Sequence, residues 1–208
     1  VKRRGRARRE ALVALVPPTD GLVVDVGADH GHVAAALGAI ASERLPGIPQ
    51  RDDLPWVIAD GLAPYRDVDV AVIAGMGART IAGILERGPA PRVAVLHAQD
   101  DPPKLRQWLV ANGWRIDAES LAPEAGRYAE LVRAVRGEEL ATGEQLALGP
   151  RLLGDGHPLL VPHLRQILGH WVGIRDATEG HAPERHDLAA RRVAAIEAAL
   201  VRHDEGPQ

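Results

Sequence analysis

Asp25, Gly27, Asp29, His30 and Gly31 crowd into one stretch, LVVDVGADHGHVAAAL (22–37). Two carboxylates and an imidazole beside a glycine turn admit three chemistries: a cofactor loop, a metal site or an ordinary turn. The spacing is D-x-G-x-x-x-G, with Gly27 free to turn the chain sharply and to let backbone N–H groups face a ligand. The pyrophosphate fingerprint G-x-G-x-x-G needs a second glycine where Asp29 stands. A carboxylate there repels a diphosphate and suits a cationic or zwitterionic ligand. S-adenosylmethionine, with a sulfonium, an ammonium and no phosphate, is such a ligand.

Two further carboxylates extend this reading. Glu43 follows Gly27 at about the spacing at which an acid holds ribose hydroxyls. Asp60, in ADGL, stands where an acid can accept a hydrogen bond from an adenine amino group. Each has a plainer competitor: Asp25 as a cap on nearby backbone, Glu43 as a loop residue, Asp60-Gly61 as a turn. Asp29, His30 and His32 also form a partial metal-ligand set, but no third or fourth ligand type follows nearby, so no structural metal is expected. Six of the nine histidines lie beyond residue 150; His163 and His170 share a helix face and read as solvated. No Walker loop, Gly-x-Ser-x-Gly elbow or His-Glu-x-x-His occurs.

These residues need strands to carry them. LVVDVG (22–27), AIASE (39–43), WVIAD (56–60), VDVAVIAGMG (68–77) and RVAVLHAQ (92–99) read as strands, the longer ones buried. GHVAAALG (31–38), ARTIAGILERG (78–88) and PPKLRQWLVANG (102–113) read as helices, and ALVALVPP (11–18) as a helix end stopped by two prolines. RLPGIPQRDDLP (44–55) reads as a loop. WRIDAESLAP (114–123) and RYAELVRAVRG (127–137) read as a closing antiparallel pair. Strands alternating with helices imply a parallel sheet covered on both faces, which binds ligands beyond the carboxyl ends of its strands. GADHG, Glu43, ADG, AGMG and HAQ all fall there.

A second region starts near Gly137. Leu160, Leu164, Ile167, Leu168 and Trp171 recur at helical spacing, as do Ala189, Val193, Ile196 and Leu200. With the polar RDATEGHAPERH (175–186) between them, they predict an αα-hairpin. The expected division is 1–137 for an α/β domain and 138–208 for a helical one.

Apolar content of 46% permits a sizeable core, and the absence of cysteine excludes disulfides and thiolate metal sites. No apolar run approaches the ~20 residues of a membrane span, and VKRRGRARRE lacks a signal peptide's apolar segment, so a cytoplasmic setting is expected. Net charge is −3, so charge as a whole gives no argument for nucleic acid. Its distribution does: Lys2, Arg3, Arg4, Arg6, Arg8 and Arg9 occur with no acid among them, a cluster able to bind phosphates or simply to be solvated. Residues 138–208 carry 11 acids against 7 Lys/Arg and are no phosphate clamp by charge alone.

DVGADHGHVA, ADGL, DVAVIAGMGARTI, LRQWLVANGWRI, GRYAELVRA and LGPRLLGDGHPLLVPHL, in that order, resemble the bacterial TrmK family. Those proteins are S-adenosylmethionine-dependent tRNA (adenine-22-N1)-methyltransferases. The resemblance runs from about residue 10 into the tail. It implies a Rossmann-like class I methyltransferase domain followed by a coiled-coil-like helical one, with S-adenosylmethionine as cofactor and tRNA as partner. Residue by residue, it puts Asp25, Gly27, Asp29 and His30 at the cofactor, the last three along its methionine end. Glu43 holds the ribose, Asp60 and Gly61 sit by the adenine, and Ala74, Gly75, Met76 and Gly77 border cofactor and target base. Asp29 and His30 become candidates for positioning or proton handling, His97 and Gln99 for contacting the base.

The chain departs from the family in three places. Its second βα unit is cut down to RLPGIPQRDDLP, Leu-Gln-Pro-Asn is replaced by Leu96-His97-Ala98-Gln99, and GMGG is replaced by Gly75-Met76-Gly77-Ala78. These changes leave a second reading: a relative that binds S-adenosylmethionine or RNA but has lost the base pocket. The sequence leaves the oligomeric state open.

Overall fold

The computed structural model describes residues 5–46 and 51–204. The chain divides into two compact units, Val1–Leu140 and Ala141–Gln208.

In the first unit, α1 (Arg6–Leu15) leads into the strands and helices β1 (Val23–Val26), α2 (His32–Leu37), β2 (Ile40–Glu43), β3 (Trp56–Ile58), β4 (Val70–Met76), α3 (Ala78–Arg87), β5 (Val93–Ala98), α4 (Pro102–Ala111), β6 (Trp114–Glu124) and β7 (Arg127–Arg136). The sheet order is β3-β2-β1-β4-β5-β7-β6. β1 pairs in parallel with β2 and β4, β2 with β3, and β4 with β5, while β7 runs antiparallel to both β5 and β6. This is the expected parallel sheet with a closing hairpin. Among the described residues no helix joins β2 to β3, as expected for a shortened second unit.

Side-chain alternation explains the two layers. Val70, Val72 and Val95 face α1 and bury its Leu12 and Leu15 together with Leu131 and Ala122. Burying each leucine stabilises the packing by about 1.5–3 kcal/mol. The alternate residues Ala71, Ile73, Ala94 and Leu96 are also fully buried, on the side served by α3 and α4. α1 ends where Pro17 forces Val16 into extended backbone. β6 lies parallel to β5 through their shared antiparallel neighbour, so Glu124 stands at the carboxyl edge of the parallel strands. Arg8 Nη1 meets Glu124 at 2.7 Å, and Arg133 Nη1 donates to the Leu15 carbonyl farther down. α1 therefore runs against the strands, with its first turn at their carboxyl edge. Of the N-terminal cations, Lys2, Arg3 and Arg4 lie outside the described residues.

The hairpin core is a buried charge group. Arg106 of α4 is fully buried and donates to Glu119 Oε1 at 2.6 Å and Glu130 Oε2 at 2.7 Å, fastening the helix to β6 and β7.

The second unit holds α5 (Gly143–Leu148), α6 (Pro150–Asp155), α7 (Leu160–Thr178) and α8 (Pro183–Asp204). α7 and α8 pack on each other as the expected hairpin, burying Leu160, Leu164, Ala189, Val193 and Ile196. Its turn is shorter than the polar run 175–186 suggested. Arg175–Thr178 continue α7 and Pro183 starts α8, because exposed polar residues suit a helix face as well as a loop. His163 corrects the expectation of a solvated face: it is 3% exposed, beside Leu164 on the packed side of α7. The short helices α5 and α6 were not anticipated. α5 starts with a capping box, Thr142 accepting from Gln145 N–H while the Gln145 side chain accepts from Thr142 N–H, a signal present in TGEQ.

Candidate active site

At the carboxyl ends of β1, β2, β3 and β4 lies a cleft of about 350 Å³. Gly27, Glu43, Asp60, Gly61 and Met76, drawn from four separate sequence signals, share its walls. Val26, Arg44, Ala59, Thr80, Ile84 and Arg87 complete the lining. Arg44, Thr80 and Arg87 escaped the sequence reading. They stand next to a motif or on the exposed side of α3, where nothing in the pattern marks them.

The first loop does not work as the turn chemistry alone suggested. Gly27 has φ +73°, a left-handed conformation that suits glycine. Its N–H, however, donates to the Ser42 carbonyl at 2.8 Å, as does Ala28 N–H at 3.2 Å. Asp29 N–H donates to Glu43 Oε2 at 3.4 Å. The amides expected to face a ligand are taken up by the end of β2. A loop with its amides so engaged cannot cradle a diphosphate, which needs those donors free. A cofactor recognised by carboxylates needs no free amides.

Asp25 turns away from the cleft. It is 4% exposed, and its Oδ2 accepts from Ala34 N–H at 3.0 Å, tying β1 to α2. Burial pushes its carboxyl up to about 6, against the opposing pull of that hydrogen bond. Asp29 and His30 are exposed on the outer rim, Asp29 with φ +50° and its Oδ2 3.8 Å from His30 Nε2. His32 follows, its ring centroid 6.1 Å from that of His30. Among the described residues no group of three His, Cys, Asp or Glu side chains is placed to hold a metal ion.

On the other side, β4 bulges between Ala74 and Met76, at Gly75 with φ +77°. Met76 closes over the first loop: a Cβ on Gly27 would run into Met76 Cε. Gly77 precedes α3 and lies against Asp100, whose Oδ1 accepts from Ala78 N–H at 2.8 Å. That bond holds the Asp100 carboxyl below the usual range. Asp100 is thus an anchor of the AGMG turn that the sequence reading missed, although its place just after β5 was a signal.

The two residues expected to touch the base part company. Gln99 is exposed, its Nε2 lying 3.3 Å from where a Cβ on Gly75 would stand. His97 pairs with Ala74 but is 3% exposed, with Nδ1 lacking a partner among the described residues. Burial, and then the charge of Arg8, push its imidazole down to about 4, so the ring is neutral at pH 7.

A family model described as TrmK, tRNA (adenine(22)-N(1))-methyltransferase, matches residues 50–198. A relative from Mycoplasma pneumoniae is 31% identical over 173 residues, spanning 71% of this chain and 81% of its own. The Bacillus subtilis tRNA (adenine(22)-N(1))-methyltransferase is 26% identical over 221 residues, spanning 89% and 93%. A crystal structure from Streptococcus pneumoniae, in complex with S-adenosyl-L-methionine, superposes with a TM-score of 0.79 at 26% identity, covering 93% of this chain and 98% of that one. With most of its length matched by the family model and by these relatives, the chain belongs to the TrmK family of tRNA (adenine(22)-N(1))-methyltransferases.

Proposed function

We propose that the chain transfers a methyl group from S-adenosylmethionine to N1 of an adenine in tRNA, with residues 1–137 as the catalytic domain and 138–208 as a helical domain. The observation that carries this reading is the cleft itself, where Gly27, Glu43, Asp60, Gly61 and Met76 meet at the carboxyl edge of the sheet. Family membership supplies the reaction class.

The donor set fits the cofactor. Glu43 accepts ribose hydroxyls, and Asp60, 3.9 Å from Arg87 across the cleft lining, accepts the adenine amino group beside Gly61. Asp29 and His30 position the methionine end from the rim. When bound, S-adenosylmethionine supplies the sulfonium methyl that adenine N1 takes by in-line displacement. The chain's part is orientation and field. Ala74, Gly75, Met76 and Gly77, of which Met76 lines the cleft, would border cofactor and base. Gln99 reaches the base from the turn after β5. His97, held neutral, adds no positive charge beside a base that becomes cationic. The target adenine leaves its stack to enter. A tRNA substrate places this action in the cytoplasm; among the described residues no helix is long and apolar enough to cross a membrane.

The deciding experiment is incubation of the protein with labelled S-adenosylmethionine and a tRNA pool, followed by nucleoside analysis. The expected product is 1-methyladenosine, lost in Asp29→Ala. Cofactor binding without transfer to any tRNA favours the non-catalytic reading instead.

A further inference from the structure

The arginine-rich N-terminus has no role in the cleft, yet the fold delivers it to the same edge. α1 runs against the strands, and its first turn, with Arg6, Arg8 and Arg9, stands where the parallel strands end. Arg8 is occupied with Glu124 and pins the helix. α1 also packs on α2, which begins at His32. From the other side comes Arg51, its side chain lying over Gly31 with Cδ 3.6 Å from where a Cβ there would stand. The His30 and His32 rings lie 6.1 Å apart, centroid to centroid, at the start of α2.

We propose that Arg9, His32 and Arg51 form a phosphate-binding rim for the tRNA backbone, next to the mouth of the cofactor cleft. This rests on the tRNA methyltransferase reading and adds to it the surface that receives the substrate. A nucleotide drawn out of its stack toward the cleft brings its flanking phosphates to this edge. His32 acts as an internal probe of the field there. Partial burial, then the positive charges of Arg9, Arg51 and His30, hold its imidazole below the usual range, against the opposing pull of Asp29. An arriving phosphate relieves the repulsion among cations crowded together in this way. Carboxylates already stand among these cations, all of them exposed: Asp29 at 3.8 Å from His30, Glu10 on Arg6 at 2.7 Å and Asp53 on Arg51 at 2.8 Å. Exposed pairs of this kind exchange readily for a phosphate.

The test compares the wild-type chain with Arg9→Ala/Arg51→Ala and Arg9→Lys/Arg51→Lys, measuring tRNA binding across a salt series, S-adenosylmethionine binding by calorimetry, and KM and kcat. The alanine pair is expected to weaken tRNA binding about tenfold near 0.1 M salt and to flatten the log–log salt slope by about two, one for each phosphate left without its arginine. KM for tRNA rises about as much, while kcat at saturating tRNA and cofactor affinity stay within about threefold. The lysine pair restores most of the affinity. Arg9→Glu alone, a single change on α1, gives the same direction should the double variant fold poorly. Unchanged tRNA affinity and salt slope in the alanine pair overturn the proposal, as does a loss that lysine does not restore, which marks a packing role. Failure of the wild-type chain to methylate any tRNA overturns instead the reading on which this one rests.

Discussion

Asp29 N–H donates to Glu43 Oε2 at 3.4 Å, so the loop after β1 is held by a carboxylate at the end of β2. The other oxygen of Glu43 accepts from Arg44 N–H at 2.9 Å, and the side chain lines the cleft. One residue therefore shapes the loop and presents the acid expected to hold the ribose. Charge-assisted hydrogen bonds are worth ~1.5–3 kcal/mol, or about 10- to 100-fold in affinity. Glu43→Ala should weaken S-adenosylmethionine binding by that factor, and Glu43→Gln by less. Calorimetric titration checks it; an unchanged dissociation constant in the alanine variant removes Glu43 from the cofactor site.

Gly27 and Met76 are matched by shape. An alanine at 27 would cost ~1–2 kcal/mol for the left-handed backbone and push Met76 Cε from its place. Gly27→Ala should lower stability by about that amount and weaken cofactor binding at least tenfold. In Gly27→Ala/Met76→Ala the steric conflict is gone but the backbone strain stays. The double variant should regain part of the binding and none of the backbone-strain loss, read by denaturant titration alongside calorimetry.

Asp25 makes stability depend on pH in a defined window. Its folded-state carboxyl titrates at about 6, above the ordinary 3.8, because burial disfavours the charge. The folded state thus holds the proton more tightly than the unfolded one. The stability this adds is fully present below about pH 4 and is lost as pH rises through about 6. At ~1.4 kcal/mol per pKa unit the loss is about 3 kcal/mol at most. Asp25→Asn, which keeps an acceptor for Ala34 N–H, should show no such decline. Urea denaturation of both proteins between pH 4 and pH 8 tests this, and parallel profiles would contradict it.

The Arg106 group predicts a larger effect. Glu119 has no exposed side-chain surface, so Arg106→Met leaves a buried carboxylate without its main counter-charge. Removing one partner of a buried pair costs about 3–5 kcal/mol. The triple variant Arg106→Met/Glu119→Gln/Glu130→Gln should recover much of that. Stability of the single variant within about 1 kcal/mol of wild type would show that the group contributes little.

The sequence by itself determined the order and type of the elements in the first unit. Short valine-rich apolar runs ended by glycine, at Gly27 and in AGMG, read as strands leading into sharp turns, and the NGW exit from α4 marks a helix end. It also indicated the kind of ligand, because Asp29 stands where a diphosphate loop needs glycine. It could not tell which side chains reach the cleft. Asp25 and Glu43 are both carboxylates at strand ends, yet one is buried under α2 and the other lines the cleft. His97 and Gln99 stand two residues apart, but the strand end buries one and exposes the other. Arg44, Thr80, Arg87 and Asp100 carried no signal strong enough to be singled out. Direction at a strand end depends on register, bulges and packed neighbours, all of which come from residues distant in the chain, and only the tertiary structure brings those together.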